Sequence, residues 1–138
     1  MNIEVVTLCD AATEQMGKLN ILGAFDVIRT GDFPHIHPQC AFVTRIRYGY
    51  DDQGEKEFEL FFTNQAGVNV MPPLKTRIVI EMNSEFNYRI SNMILNMQRV
   101  RFADPGIYTI RLDCNGLPLT ELELRVIDIT PKEPNPLA

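Results

Sequence analysis

The segment LKTRIVIEM, residues 74–82, sets Leu74, Thr76, Ile78, Ile80 and Met82 on one side of an extended chain and Lys75, Arg77 and Glu81 on the other. Successive side chains leave a strand in opposite directions, so this period of two marks a half-buried β-strand. The same period recurs along most of the chain, and helical spacing is nearly absent. Strands are predicted near 2–9, 19–29, 40–50, 56–63, 68–71, 74–82, 86–102, 107–114 and 119–128. Short strands between turn residues predict an all-β fold: one antiparallel β-sandwich of roughly seven to nine strands, immunoglobulin-like or jelly-roll in style. The one helical candidate is AATEQM, residues 11–16, with Asp10 as N-cap and Gly17 behind it. It is too short to shape the architecture.

A chain of 138 residues with 45% hydrophobic and 22% charged content suits one globular domain. That domain is expected over 1–130. The closing PKEPNPLA, 131–138, has no apolar pattern and reads as a flexible proline-rich tail. Thirteen basic residues against 18 acidic give a net charge of −5, which argues against nucleic acid and anionic membranes as partners. No apolar run is long enough to span a membrane. In MNIEVVTLCDAA, Glu4 and Asp10 break the apolar residues and no positive region precedes them, so it does not read as an export signal. A cytoplasmic protein with reduced Cys9, Cys40 and Cys114 is expected.

Two hairpins are predicted. CAFVTRIRYGY and EKEFELFFT flank DDQG; pairing Thr44, Ile46 and Tyr48 with Phe58, Leu60 and Phe62 places Arg45 and Arg47 beside Glu57 and Glu59. Around Asn115-Gly116, a three-residue loop with Gly116 left-handed keeps Tyr108, Ile110 and Leu112 on the face of Leu122, Leu124 and Val126. ADPGIYTIRL admits two readings: a tyrosine corner, with the Tyr108 phenol bonded to the chain just upstream, or an ordinary turn before a core tyrosine.

FPHIHPQC, 33–40, holds both histidines of the chain. His35 and His37, with Asp32 or Cys40 as a third ligand, have the donor types of a zinc or copper site. Against this, Pro34 and Pro38 bracket them, and polyproline geometry would make the two rings diverge. A proline-stiffened loop joining two strands is the reading preferred, so no metal and no cofactor is expected. Nucleophilic catalysis finds no motif: Ser84 and Ser91 lack flanking signatures, and nothing local joins a cysteine to a histidine. Glu121 and Glu123 read as a solvated strand face. Arg45, Arg47, Arg99 and Arg101 would share one face and hold an anion if their strands were neighbours; a solvated, ion-paired surface is the competing reading.

Cys9-Asp10-Ala11-Ala12, then Gly17-Lys18-Leu19-Asn20-Ile21-Leu22-Gly23, then Phe33-Pro34 and His37-Pro38, resemble an uncharacterised family of small bacterial β-sandwich proteins carried as a domain of unknown function. The later PGIYTIRL and Asn-Gly hairpin fit the same pattern. The resemblance implies a bacterial, cytoplasmic setting and a structural role for GKLNILGAF, and it carries no activity.

The functional expectation is a non-catalytic protein-interaction or structural module. The alternatives are a metal-dependent enzyme or metal-binding protein using His35 and His37, and a small-ligand or carbohydrate binder using Tyr50, Tyr88 or Phe61. The partner is expected to be a protein or a second copy. With no helix to cover an apolar outer sheet face, Phe61, Met93, Leu95 and Met97 are the candidates for a homodimer interface.

Overall fold

The computed structural model describes residues 1–83 and 85–131. Ser84 and, past Pro131, the predicted tail lie outside the described residues. The strands are β1 (Asn2–Gln15), β2 (Lys18–Ala24), β3 (Val27–Thr30), β4 (His35–Tyr48), β5 (Gly54–Thr63), β6 (Leu74–Ile80), β7 (Arg89–Phe102), β8 (Gly106–Cys114) and β9 (Leu117–Asp128). A 3-10 turn, Tyr50–Asp52, links β4 to β5. They form a two-sheet β-sandwich. One sheet runs β2-β1-β4-β7 and the other β3-β9-β8-β5-β6. All neighbours are antiparallel except β3 and β9.

The alternating apolar residues meet between the sheets. Phe42, Ile46 and Tyr48 of β4, Phe58, Leu60 and Phe62 of β5, and Phe102, Ile110, Leu112 and Leu124 are all buried in one core. Each such side chain contributes about 1.5–3 kcal/mol through burial. Tyr108 closes one end: its phenol donates to the Asp104 carbonyl at 2.6 Å, so the tyrosine-corner reading holds.

Several local expectations are corrected. Residues 40–50 and 56–63 do not form a hairpin. β4 already has β1 on one edge and β7 on the other, so the Tyr50–Asp52 turn carries the chain to the opposite sheet. The two apolar faces share the core across the sandwich rather than side by side. Arg45 and Arg47 instead reach Glu4, at 3.2 and 3.0 Å, while Glu57 and Glu59 pair with Lys75 and Arg77 on β6. At the second hairpin the turn has two residues, Asn115 and Gly116, both left-handed at φ 49 and 81. Parity is restored by a bulge at Leu119, between the pairs Leu112–Thr120 and Asp113–Pro118, and the predicted facing of Ile110 with Leu122 and Tyr108 with Leu124 survives. Residues 68–71 make only an isolated bridge, Thr63 to Asn69.

The single strand expected at 19–29 is two. β2 pairs with β1; the chain then crosses at Phe25-Asp26 so that β3 pairs with β9 in the other sheet. Residues 11–16 are not helical. They continue β1 to Gln15 and pair with β2 through a turn at Met16-Gly17, where φ is 53 and 76.

This β1–β2 hairpin does not lie flat beside its sheet. In a flat sheet β2 and β7 would be three strand spacings, about 14 Å, apart. Yet Asn92 of β7 donates to the Gly17 carbonyl at 3.2 Å and to Glu14 at 3.4 Å, and Arg45 of β4 donates to Gly17 at 3.4 Å. The hairpin is an arm folded over the outer face. Beneath it Cys9, Ala41 and Val43 are fully buried, with Ala12 and Leu19 of the arm and Ile94 of β7 packed against them. The bend sits at Asp10 and, opposite it, Gly23. Gly23 has φ +66, and a Cβ there would overlap the Asp10 carboxylate. The sequence segments CDAA and GKLNILG therefore build one device: a thiol and small side chains below, a glycine turn at the tip, and a glycine at the bend.

Candidate functional site

Each sheet ends in two edge strands, and their protection differs. β6 carries Lys75 and Arg77, which pair with Glu55, Glu57 and Glu59 on β5. β7 carries Arg89, Arg99 and Arg101, and β3 is four residues long. Charge and brevity are the usual defences of a free strand edge. β2, KLNILGA, has one charge, Lys18, at its end; every residue of it except Leu19 is exposed. Leu22 is 69% exposed and Ile21 38%. With Ala11, Ala12, Thr13 and Asn20 they line a shallow, mainly apolar groove on the arm. Along this edge β2 has β1 on one side and, among the described residues, no strand on the other, so a row of its backbone N–H and C=O groups is open to an incoming strand.

The homodimer candidates fall elsewhere. Met93 and Met97 point into the core, 8% and 2% exposed, opposite Thr44 and Cys40, and Leu95 packs against the same core opposite Phe42. The outward residue of that run is Ile94, under the arm. On this sheet the arm covers the outer apolar residues. Phe61 is on the outer face of the other sheet, with the Arg111 guanidinium 4.7 Å above its ring. Tyr88 is likewise capped by Arg47 at 4.1 Å. Of the three aromatic residues considered for a sugar platform, Tyr50 alone has neither face so covered among the described residues.

His35 and His37 sit on β4, not in a loop. Residues 35–37 pair with Phe102, Arg101 and Val100 of β7. Strand geometry sends both rings the same way, and His35 Nε2 lies 3.3 Å from His37 Nδ1. The prolines do not impose polyproline geometry because ladder pairing continues on both sides of Pro38. His35 stacks on Phe102 at 6.2 Å and His37 tilts against Phe25 at 5.6 Å. Burial, with a smaller push from His35, lowers the pKa of His37. Beyond the pair the ladder switches faces: Pro38, Gln39, Gln98 and Arg99 are exposed, with Arg99 left-handed at φ 54. Cys40 then enters the core, and Asp32 stays in the exposed turn before β4. Among the described residues no cluster of three or more His, Cys, Asp or Glu assembles here.

The thiols are not activated. Burial pushes Cys40 up to about 11 and raises Cys9 and Cys114. Cys9 Sγ donates to the carbonyls of Ala11 and Ala41. The four arginines do not gather either. β4 and β7 are neighbours, but antiparallel: Arg45 faces Asn92 while Arg101 faces Ile36, nine residues along β4, about 30 Å away. A cleft of about 400 Å³ beside the tyrosine corner is lined by Asn64, Gln65, Arg101 and Asp104 among others. Two of its amide oxygens are already engaged, Asn64 Oδ1 by the N–H groups of Ala66 and Val68 and Gln65 Oε1 by that of Ile107. That cleft is a built corner of the fold.

A family model described as a family of unknown function (DUF6941) matches residues 4–127. No curated protein and no solved structure matches the chain. No described helix is long and apolar enough to cross a membrane.

Proposed function

For this chain, which belongs to the DUF6941 family, we propose a non-catalytic interaction module that receives an extended strand on the open edge of β2, with a second copy of itself as the partner. The carrying observation is that edge: a seven-residue strand with one terminal charge, unpaired along one side, beside an apolar groove. Backbone hydrogen bonds supply affinity in strand addition, and side chains at alternate positions supply selectivity. The sequence of β2 suits self-pairing. A two-fold antiparallel pairing centred on Ile21 sets Lys18 against Ala24 of the other copy, so the two lysines stay at opposite ends. Leu22 then lies against Asn20 and diagonal to its own symmetry mate. The two four-stranded sheets would become one of eight strands. The arm's tip bonds to Asn92 and Arg45 hold the edge in place before any partner arrives, which lowers the ordering cost of association.

A cytoplasmic setting in a bacterium completes this reading. Three free, buried thiols support a reducing compartment.

Sedimentation equilibrium at micromolar concentration tests the proposal. A dimer is expected for the unmodified chain, and Leu22→Glu should weaken it at least tenfold without changing the unfolding midpoint of the monomer, read below the association range, because Leu22 is largely exposed. A monomer throughout, or a dimer indifferent to Leu22→Glu, would overturn it.

A further inference from the structure

We propose that His35 and His37 are a two-imidazole chelate for a late first-row divalent cation, with copper bound more tightly than zinc or nickel and water completing the coordination. The argument begins with strand geometry. Residues two apart on one strand face project side by side, and here the facing nitrogens, His35 Nε2 and His37 Nδ1, are 3.3 Å apart. Two imidazole nitrogens bound to one tetrahedral metal at 2.0–2.1 Å are separated by about 3.3–3.4 Å. The pair already has the bite of a tetrahedral site such as zinc's, and the cis positions of tetragonal copper, about 2.8–3.0 Å apart, need the two rings to close by only a few tenths of an ångström.

The rings are also held. Phe102 lies against His35 and Phe25 against His37, so little side-chain freedom remains to be lost on binding. Both residues are only half-buried, which leaves a path for the ion. At 3.3 Å a hydrogen carried by either nitrogen would bridge the two rings in the free protein. A metal replaces that hydrogen when His35 carries its proton on Nδ1 and His37 on Nε2. This is a change of tautomer that leaves both rings neutral. Imidazole donors suit copper, nickel and zinc, and copper stands highest in the divalent series. Two protein ligands with no third predict micromolar rather than structural affinity. They also leave open positions on the metal.

The test uses the full chain without a purification tag, with Cu2+, Zn2+ and Ni2+ chlorides as probes. Calorimetry should show one site per chain, tightest for copper, and His35→Ala or His37→Ala should each weaken it at least tenfold. The chain has only two histidines, so their ring-proton NMR signals provide a readout on unmodified protein that does not depend on the variants folding. Zinc should shift both sets of signals together at the calorimetric stoichiometry. A shift of neither ring or of one alone, or binding that survives both substitutions, would overturn the site.

Discussion

Gly23→Ala is the sharpest perturbation of the arm. Gly23 has φ +66, where an L side chain costs about 1–2 kcal/mol. The new methyl would also overlap the Asp10 carboxylate and come 3.0 Å from its Cγ, so the carboxylate has to turn away or the bend has to open. That second component adds about 1 kcal/mol, and the total is about 2–3 kcal/mol. Gly17, at the arm's tip, is the internal control: φ is +76, but nothing lies within 4 Å of its added Cβ. Gly17→Ala should therefore cost only the conformational part. Urea unfolding reads both. With a slope of about 1–3 kcal/mol per molar, Gly23→Ala should lower the midpoint by roughly 1 M or more and Gly17→Ala by about half as much. In an Asp10→Ala background the two glycine substitutions should cost the same. A Gly23→Ala loss no larger than that of Gly17→Ala, or one unaffected by Asp10→Ala, would refute the account of the bend. The same substitution should loosen the arm's cover, so Cys9 should become the first thiol to react with an alkylating reagent.

In the unmodified chain all three thiols are buried and protonated, so alkylation at pH 8 should be slow and should track global unfolding; rapid labelling of Cys40, whose thiol is pushed up to about 11, would contradict its placement. Thr44 is wholly buried with no partner for its hydroxyl among the described residues, so Thr44→Val should leave the fold unchanged and raise stability by about 1 kcal/mol in the same urea assay. Tyr108→Phe removes the bond to the Asp104 carbonyl and should cost about 1–2 kcal/mol. Asp52 accepts from the Gly49 N–H at 2.8 Å and meets the N-terminal amine at 3.0 Å, and these contacts hold its carboxyl below the usual range. Its contribution is therefore present above the unfolded-state pKa and lost as pH falls through the lower folded one, so Asp52→Asn should flatten part of the acid limb of a stability–pH curve.

Alternation made the strands visible because each has one face in a common core, as in β6 and in residues 107–114 of β8. It could not choose between neighbours. The apolar faces of residues 40–50 and 56–63 fit a hairpin as well as they fit two walls of a sandwich, and only the occupation of both edges of β4 by β1 and β7 decides. An outer apolar face needing cover was legible in the run Met93, Leu95 and Met97, but that it lies around Cys9, Ala41, Val43 and Ile94 was not. The source of the cover was hidden because AATEQM has one β-branched residue, Thr13, among good helix formers and so reads as helix, although pairing with β2 holds it extended. The signal that could have exposed the arm was the pair of glycines, Gly17 and Gly23, bounding a short apolar run. The histidine pair was misread for a similar reason: Pro34 and Pro38 suggested a loop, whereas β7 keeps the ladder going past Pro38.

Amide hydrogen exchange across a concentration series tests the strand-addition claim most directly. As concentration rises through the association range, protection should grow at the outward-facing amides of residues 18–24 and stay constant in β6, the other long edge of comparable size. Protection that grows at β6 or β7 while β2 stays unchanged, or that is independent of concentration everywhere, would contradict the account.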